Sequence, residues 1–525
     1  MNSLVNFLRR QRSVAARVRS RSKPLLKQHA LASQWIAKNT VKDPASKGAG
    51  IRISHRRATP YPEVTGYYIP TLLNWGQREL ALEFSRWLVS IQQADGSWTD
   101  PGLKTSYTFD TGQILKGLVA LADIDPSLEE PILRGCDWIL TQIEDSGRLR
   151  TPDESAWQGL RRGRRVPEAI HLYTLEPVRE SGKRWGVARY ESAVERVCAF
   201  YLADPDLTRF DTLSHFHAYV VEALVDLGFH DRAKQAMDDL LSTYGKSPVP
   251  AYSDVRWLCS TGLFQYAVIA YKLGLIETGH RYFDSGRRLQ NRSGGFYGSY
   301  GLGARYFPRD EISWGVKYFL DALELRIKSS FDGEASQFPG TIDPGDGRYD
   351  LIRRVIQQTR PPEAADLGCG KGRFLRRLLE DAPGVELVGM DLSESMLANL
   401  PPSVRRAKGS LLRMPFADGS LKFAFTVEAL EHAVDIPAAI REMGRVVAEG
   451  GTLVIIDKNQ ERIGQLDVPD WERWFKAEVL AALLGGQGFS VEVERNIPYD
   501  RRDGRDGLFI AWIAKKQISE DPERG

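Results

Sequence analysis

The run Asp366-Leu367-Gly368-Cys369-Gly370-Lys371-Gly372 joins a segment that reads as a strand, Ala364 to Leu367, to one that reads as a helix, Arg373 to Asp381. Glycines at such a turn let backbone amides approach a ligand and leave the helix N-terminus open to it. Asp391, 19 residues after Gly372, ends a second strand beginning at Glu386, where a carboxylate can accept two hydrogen bonds from ribose hydroxyls. Further on, Phe423 to Val427 reads as a fourth strand, and Glu428-Ala429-Leu430-Glu431-His432 opens a loop at the carboxyl edge where such sheets bind ligands. His432 is the candidate base there, since an imidazole accepts a proton near neutrality. A helix-capping or Glu431-paired histidine is the structural alternative.

Alternating helix and strand from Asp350 onward predicts an α/β domain around a parallel sheet. Ser490 to Glu494 and Leu508 to Ala514 are expected to form a closing antiparallel pair. The leading acid Asp366, the compact glycine spacing, Met414-Pro415-Phe416-Ala417-Asp418 before the fourth strand, and the helix, Gly450-Gly451 turn and strand after it resemble class I S-adenosylmethionine-dependent methyltransferases, a Rossmann-like family. The resemblance covers about 165 residues, Asp350 to Ala514. It implies S-adenosylmethionine as cofactor, with Asp366, Gly368, Gly370 and Gly372 at its amino acid part and Asp391 with Leu392 at the ribose. It also implies Ser410 and Leu411 near the adenine and Glu428 on the rim. Ser410 stands where members usually carry an acid for the adenine amino group. Methyl transfer chiefly needs alignment of acceptor, methyl and leaving sulfur, plus removal of a proton when the acceptor is a hydroxyl, so no metal is required.

From about residue 60 to 330 apolar residues recur at three-to-four spacing, with no alternating strand pattern. A unit recurs too. Phe84 to Trp98 ends an amphipathic helix and turns at a glycine after a Gln; Trp138 to Gln142 with Gly147, and Arg288 to Phe296, echo it. Second helices follow at Thr111 to Leu121, Glu168 to Val178 and Ile312 to Leu323, with Ser214 to Leu227 and Thr261 to Leu273 as further members. A spacing of about 50 residues is what stacked helical hairpins give. Gln92, Gly96 and Trp98 resemble the repeat of triterpene cyclases, a family of α/α barrels, although its aspartate-rich DxDD or DDxxD run has no counterpart here. Tyr107-Thr108-Phe109-Asp110-Thr111-Gly112-Gln113 resembles inner-helix starts of glycan-active α/α toroids such as glucuronyl C5-epimerases and unsaturated uronyl hydrolases. That resemblance implies a catalytic Asp110; an N-cap pair of Asp110 and Thr111 is the structural alternative.

Aromatics between Tyr67 and Trp314, Trp157 among them, could stack on sugar rings, or fill the space between helical layers. Arg161, Arg162, Arg164, Arg165, Glu168, His171, Glu176, His215 and His217 could read carboxylated or phosphorylated sugars, or be solvated loop charges.

At 525 residues, with 42% hydrophobic and 26% charged, the composition excludes collagenous, disordered and membrane-embedded classes. Four scattered cysteines without a CxxC pair argue against a disulfide framework and a structural zinc site. The net charge of +3 conceals ten Lys or Arg and no acid in residues 1 to 42, leaving the remainder at −7. That arm reads as solvated and mobile, with contact to an anionic membrane surface, nucleic-acid binding or an Arg-rich organelle presequence as the functional options. With no basic excess beyond it, nucleic acid is not expected as a partner.

The sequence therefore predicts a multidomain, cytoplasmic chain: a flexible basic arm over 1–58, an all-α toroid over 59–328, and a linker over 329–349. A methyltransferase domain follows over 350–516, with a tail over 517–525. The expected acceptor is a sugar or uronate of a glycan that the toroid binds or epimerises. The alternative is a lipid, polyprenyl or other small-molecule acceptor, with the helical repeats as a non-catalytic binding module.

Overall fold

Apolar faces at helical spacing build the first half of the chain. The computed structural model describes residues 23–102, 104–154, 166–335, 338–464, 469, 471–498 and 507–518. The chain divides into two compact units, Met1–Leu72 with Arg78–Arg326, and Leu73–Gln77 with Ile327–Gly525.

The first unit begins with α1 (Leu25–Asn39), β1 (Thr40–Lys42), β2 (Ala49–Ile51), α2 (Pro62–Asn74), α3 (Arg78–Ser90), α4 (Thr108–Leu121) and α5 (Glu129–Thr141). A 3-10 helix, Glu168–Thr174, then runs into α6 (Leu175–Trp185), followed by α7 (Ala188–Leu202), α8 (Ser214–Asp226) and α9 (His230–Tyr244). β3 (Leu258–Cys259), α10 (Ser260–Lys272), α11 (Ile276–Arg287), β4 (Ser299–Tyr300) and α12 (Ser313–Glu334) complete it. The last turns of α2 and α12 belong to the second unit.

Three expectations need correction here. The supposed flexible arm is packed from α1 on: Leu25, His29, Ala32, Trp35 and Ile36 are buried, and Trp35 donates its indole N–H to Glu311 at 2.9 Å. Its apolar stripe is interleaved with basic residues, which masked it in the sequence; the dense arginine run before Lys23 lies outside the described residues. The helix expected at Glu168 starts as a 3-10 turn and becomes α-helical only at Leu175. The unit also holds two short antiparallel strand pairs, β1 with β2 and β3 with β4, too brief to leave an alternating pattern.

The recurring Gln and Gly fasten a turn. The Gln92 side-chain amide donates to the carbonyls of Gly96 at 2.9 Å and Pro131 at 2.8 Å, and Gly96 has φ +96, which only glycine adopts without strain. Gln290 repeats the device on the carbonyls of Gly294 and Gln28. At the middle copy Gln142 makes only a long 3.5 Å bond to the Trp138 carbonyl and a contact to Thr141. Close approach of α2 and α4 depends on a second glycine, since a Cβ on Gly117 would collide with the Gly66 carbonyl.

The second unit opens with α13 (Gly347–Thr359), β5 (Glu363–Leu367), α14 (Arg373–Asp381), β6 (Glu386–Asp391), α15 (Glu394–Leu397), β7 (Arg405–Lys408) and β8 (Leu421–Val427). α16 (Ile436–Val446), β9 (Val447–Lys458), α17 (Ala477–Gly485), β10 (Phe489–Ile497) and β11 (Phe509–Lys516) follow. The seven strands form one mixed sheet in the order β10-β11-β9-β8-β5-β6-β7. β5 pairs parallel with β6 and β8, while β11 runs antiparallel between β9 and β10. The chain leaves β5 in one direction and returns on its other side at β8, which opens a crevice at the carboxyl ends of these strands. The segment read as a linker is structured at both ends: α12 persists to Glu334, and Asp346 caps α13 by accepting from the Arg348 amide at 3.0 Å.

Replacing Gln92 by Ala is expected to cost about 2 kcal/mol of stability, because the part-buried carbonyls of Gly96 and Pro131 lose their donor. Replacing Gln142 by Ala is expected to cost under about 0.5 kcal/mol. Urea midpoints of the two variants check this contrast; equal losses would contradict it.

Candidate cofactor and acceptor site

At the β5–α14 turn the amides of Gly368 and Cys369 both donate to the Met390 carbonyl, at 2.8 and 2.9 Å, so the turn is fastened to the end of β6. Gly368, Gly370 and Gly372 have φ +87, +52 and +74. Their surroundings differ. A Cβ on Gly368 would strike Ala429 and one on Gly372 would strike Leu400, whereas one on Gly370 would meet nothing within 4 Å. Packing requires the outer two glycines, and the middle one faces open space.

Asp391 closes that space. One of its carboxylate oxygens accepts from the Gly370 amide at 2.8 Å and the other from the Ser393 amide at 2.9 Å. Burial raises its pKa, against those two amides and with nearby Asp332 adding to the rise. Leu392 beside it is half-buried. Asp366 is buried within β5, and burial holds its carboxyl well above the usual range despite nearby Arg373. Asp332, at the end of α12, accepts from the hydroxyls of Ser393 at 2.5 Å and Ser395 at 3.1 Å. Ser410 spends its hydroxyl oxygen on its own turn, accepting from the amides of Leu412 and Arg413 at 3.3 and 3.1 Å, with Leu411 buried beside it.

Glu428 follows β8 with φ +53, a conformation unusual for a side chain that is not glycine. Its carboxylate takes Arg348 and Arg373, each at 2.5 Å. Burial opposes its charge, but Arg348, Arg373 and Lys458 prevail and hold its pKa at about 2. Arg348 is itself 2% exposed and doubly bonded to Asp346.

His432 lies on the short 3-10 turn Leu430–His432, with the Phe331 ring edge-on at 5.0 Å. Its Nε2 is 3.4 Å from Glu431, as the pairing alternative held. Its Nδ1 is buried with no hydrogen-bond partner among the described residues. Burial, and then the Lys458 ammonium, lower its pKa to about 3, so the ring is neutral at physiological pH but a weaker proton acceptor than the near-neutral imidazole expected from the sequence. Glu431, His432 and Glu472 offer ligand atoms within 4.8 Å of one another. The Lys458 ammonium already bridges the two carboxylates, at 2.6 and 3.0 Å, in place of a cation.

Asp110 belongs to the first unit. It does not cap α4, whose N-cap is Tyr107; instead it accepts from the Tyr61 hydroxyl at 3.0 Å. The Arg161 to Arg165 cluster and Trp157 lie outside the described residues. His171, His215 and His217 are buried, and burial lowers each to a pKa of about 4.

Sequence reasoning missed Phe331, Asp332, Asp346, Arg348 and Lys458. An Asp preceding a helical pattern by one residue is an N-cap signal that would have located Asp346, but a buried arginine in a Gly-rich stretch carries no local mark.

A methyltransferase domain model matches residues 365–455, the stretch from β5 to the middle of β9. The chain carries a class I S-adenosylmethionine-dependent methyltransferase domain. The domain's cofactor is S-adenosylmethionine. It is similar to a demethylmenaquinone methyltransferase of Roseiflexus castenholzii, 36% identical over 161 residues, or 29% of this chain and 66% of the relative. A 2-methyl-6-phytyl-1,4-hydroquinone methyltransferase of Synechocystis sp. is 31% identical over 164 residues, 28% of this chain and 51% of the relative. A malonyl-[acyl-carrier protein] O-methyltransferase of Halorhodospira halophila is 28% identical over 148 residues, 27% of this chain and 50% of the relative. The chain thus spans between half and two thirds of the length of these relatives. Among the described residues no helix is long and apolar enough to cross a membrane.

The open space at Gly370 and the doubly anchored carboxylate of Asp391 fit this cofactor. Gly370→Ala is expected to fold, at about 1 kcal/mol for a Cβ in left-handed backbone, while the dissociation constant for the cofactor rises about tenfold or more, because the added methyl occupies the ligand's place. Gly368→Ala is expected to lose far more stability through the clash with Ala429. Thermal melts paired with equilibrium dialysis separate the two; a Gly370→Ala protein of unchanged affinity would contradict the placement.

Proposed function

We propose that the protein is an S-adenosylmethionine-dependent methyltransferase acting on a hydroxyl oxygen, with a sugar hydroxyl as the acceptor. The observation that carries the hydroxyl is the unpartnered, buried Nδ1 of His432 at the carboxyl edge of the sheet. S-adenosylmethionine supplies a methyl group on a sulfonium leaving group. In this reading Gly368 and Gly370 pass the amino acid part, with Asp366 behind them, and Asp391 and Leu392 take the ribose hydroxyls. Ser410 and Leu411 border the adenine through backbone and apolar contact, since Ser410 offers no acid. Glu428 serves by fixing Arg373 at the start of α14. His432 accepts a hydrogen bond from the acceptor hydroxyl and takes its proton as the oxygen attacks. Phe331 keeps water from the imidazole.

The sugar comes from the first unit, which we read as an α/α toroid. The contacts that support this link α4, α6, α8 and α10 in order, α2 to α4 where Gly117 meets Gly66, and α10 to α12 where Phe264 packs on Phe319; α2 and α12 close the series, the Tyr68 hydroxyl donating to the Ser313 carbonyl at 2.6 Å and Thr71 to Asp321 at 2.6 Å. The names of the relatives favour a second reading, an isoprenoid quinol or another lipid-like acceptor with the helical unit as its binding module. Contact of the basic arm with a membrane surface belongs with that reading.

Because burial keeps His432 neutral down to a pKa of about 3, kcat is expected to stay flat from neutrality to about pH 5, where an ordinary histidine of pKa near 6.5 would already be protonated. His432→Ala is expected to lower kcat by about a hundredfold or more and leave cofactor affinity unchanged. Radiolabelled methyl transfer to saccharides and to quinols, run side by side, tests the acceptor: label in the quinol alone would replace the sugar reading.

A further inference from the structure

The inner faces of the first unit's helices carry polar and aromatic residues at helical repeats. Glu63, Tyr67 and Thr71 stack on α2; Phe109, Gln113 and Lys116 on α4; His215, Tyr219, Glu222 and Asp226 on α8; Trp314, Lys317 and Asp321 on α12. Tyrosines join them across the middle, the Tyr67 and Tyr219 hydroxyls 3.2 Å apart and those of Tyr173 and Tyr318 3.1 Å apart. Below that layer every lysine faces acid. Lys272 meets Glu222 at 3.0 Å and Asp226 at 2.7 Å, Lys116 meets Asp226 at 3.8 Å, and Lys317 meets Asp321 at 2.6 Å.

Above it the chemistry is unsatisfied. The Tyr61 hydroxyl lies 2.8 Å from Asp100 and 3.0 Å from Asp110, and buried Glu63 is hydrogen-bonded by Trp314 and near enough to Asp110 to feel its charge. Gln113, fully buried one turn beyond Phe109, has no partner for either amide atom among the described residues. Gln265 gives its oxygen to His215 at 2.6 Å and leaves its buried nitrogen unpaired. The His215 ring sits among Tyr219, Tyr306 and Trp314 at 4.6, 6.1 and 6.2 Å. Tyr61, Asp110, Tyr306 and Trp314 are only half-buried, so the cluster reaches solvent.

We propose that this end of the helical unit is a binding site for a neutral saccharide, its ring taken by Trp314 and Tyr306 and its hydroxyls by Glu63, Asp110 and Gln265. A flat apolar face with hydroxyls at its rim is the ligand shape that satisfies both aromatic rings and orphaned buried amides. Among the described residues the charges favour a neutral ligand over a uronate or a sugar phosphate: Glu63, Asp100 and Asp110 gather here, and Lys116, Lys272 and Lys317 are each engaged by acids. Burial raises the Asp110 pKa to about 7, with Asp100 adding to the rise against the Tyr61 hydrogen bond, and burial also raises Glu63. Protonated carboxyls can donate to sugar oxygens as well as accept. The site rests on residues of the helical unit alone, and it narrows the glycan reading above from uronates to neutral sugars.

The test uses the full-length protein on a printed panel of neutral gluco-, galacto- and manno-oligosaccharides beside uronate-bearing ones, with hits titrated in solution. Binding to at least one neutral saccharide is expected, weakened tenfold or more in Trp314→Ala and in Gln265→Leu. Titration of S-adenosylmethionine into the same variants should be unchanged, which reports an intact fold and keeps this result separate from the methyltransferase reading. Absence of any neutral ligand, preference for uronates, or full affinity in both variants with the fold intact would overturn the proposal.

Discussion

The carboxylate of Glu428 holds the cofactor end of the second unit together. It joins Arg348 at the start of α13 to Arg373 at the start of α14, from a residue whose own backbone is strained. Charges this deeply buried are tolerated only as a paired set, since a lone member would cost roughly 3–5 kcal/mol. Three chain segments far apart in sequence must therefore arrive together, and the Gly368–Gly372 turn is shaped by where they meet. A pKa of about 2 for Glu428 places the loss of this set far on the acid side, so the site keeps its charges throughout the physiological range.

The two units solve the problem of buried polarity differently. In the methyltransferase domain nearly every charge near the turn has a named partner, and the openings are the space at Gly370 and the free ring nitrogen of His432. In the helical unit lysines pair with acids along the lower part of the inner face, while in the upper part Asp110 and Glu63 are held by Tyr61 and Trp314, and the buried Gln265 nitrogen has no partner among the described residues. Polar atoms left unpaired in a protein interior cost free energy unless a ligand or water completes them. Both openings lie where helices or strands end, as a site presented to solvent requires.

Much of the second unit was legible because its local and global signals agree. The helix Arg373–Asp381 and the strand ends at Leu367 and Asp391 are where turn glycines and a strand-end acid put them. The closing antiparallel pair extends further than its apolar core suggested, to Phe489–Ile497 and Phe509–Lys516, because an exposed edge strand carries charged residues that blur its period. Arg348 was illegible for the opposite reason: composition marked its surroundings as a linker, and only tertiary burial turns such an arginine into a clamp. In the first unit, Gln92 and Gly96 showed themselves as a motif, but the partner of Asp110 did not. Tyr61 lies 49 residues away, and no periodicity connects the two.

The donor site at the turn is the claim on which the rest stands, and calorimetry tests it most directly. Titrating S-adenosylmethionine and its demethylated product into the full-length protein should give heat with one site per chain, abolished by Asp391→Ala in a protein that still melts cooperatively. No heat from either compound, or full binding by the Asp391→Ala protein, would contradict it.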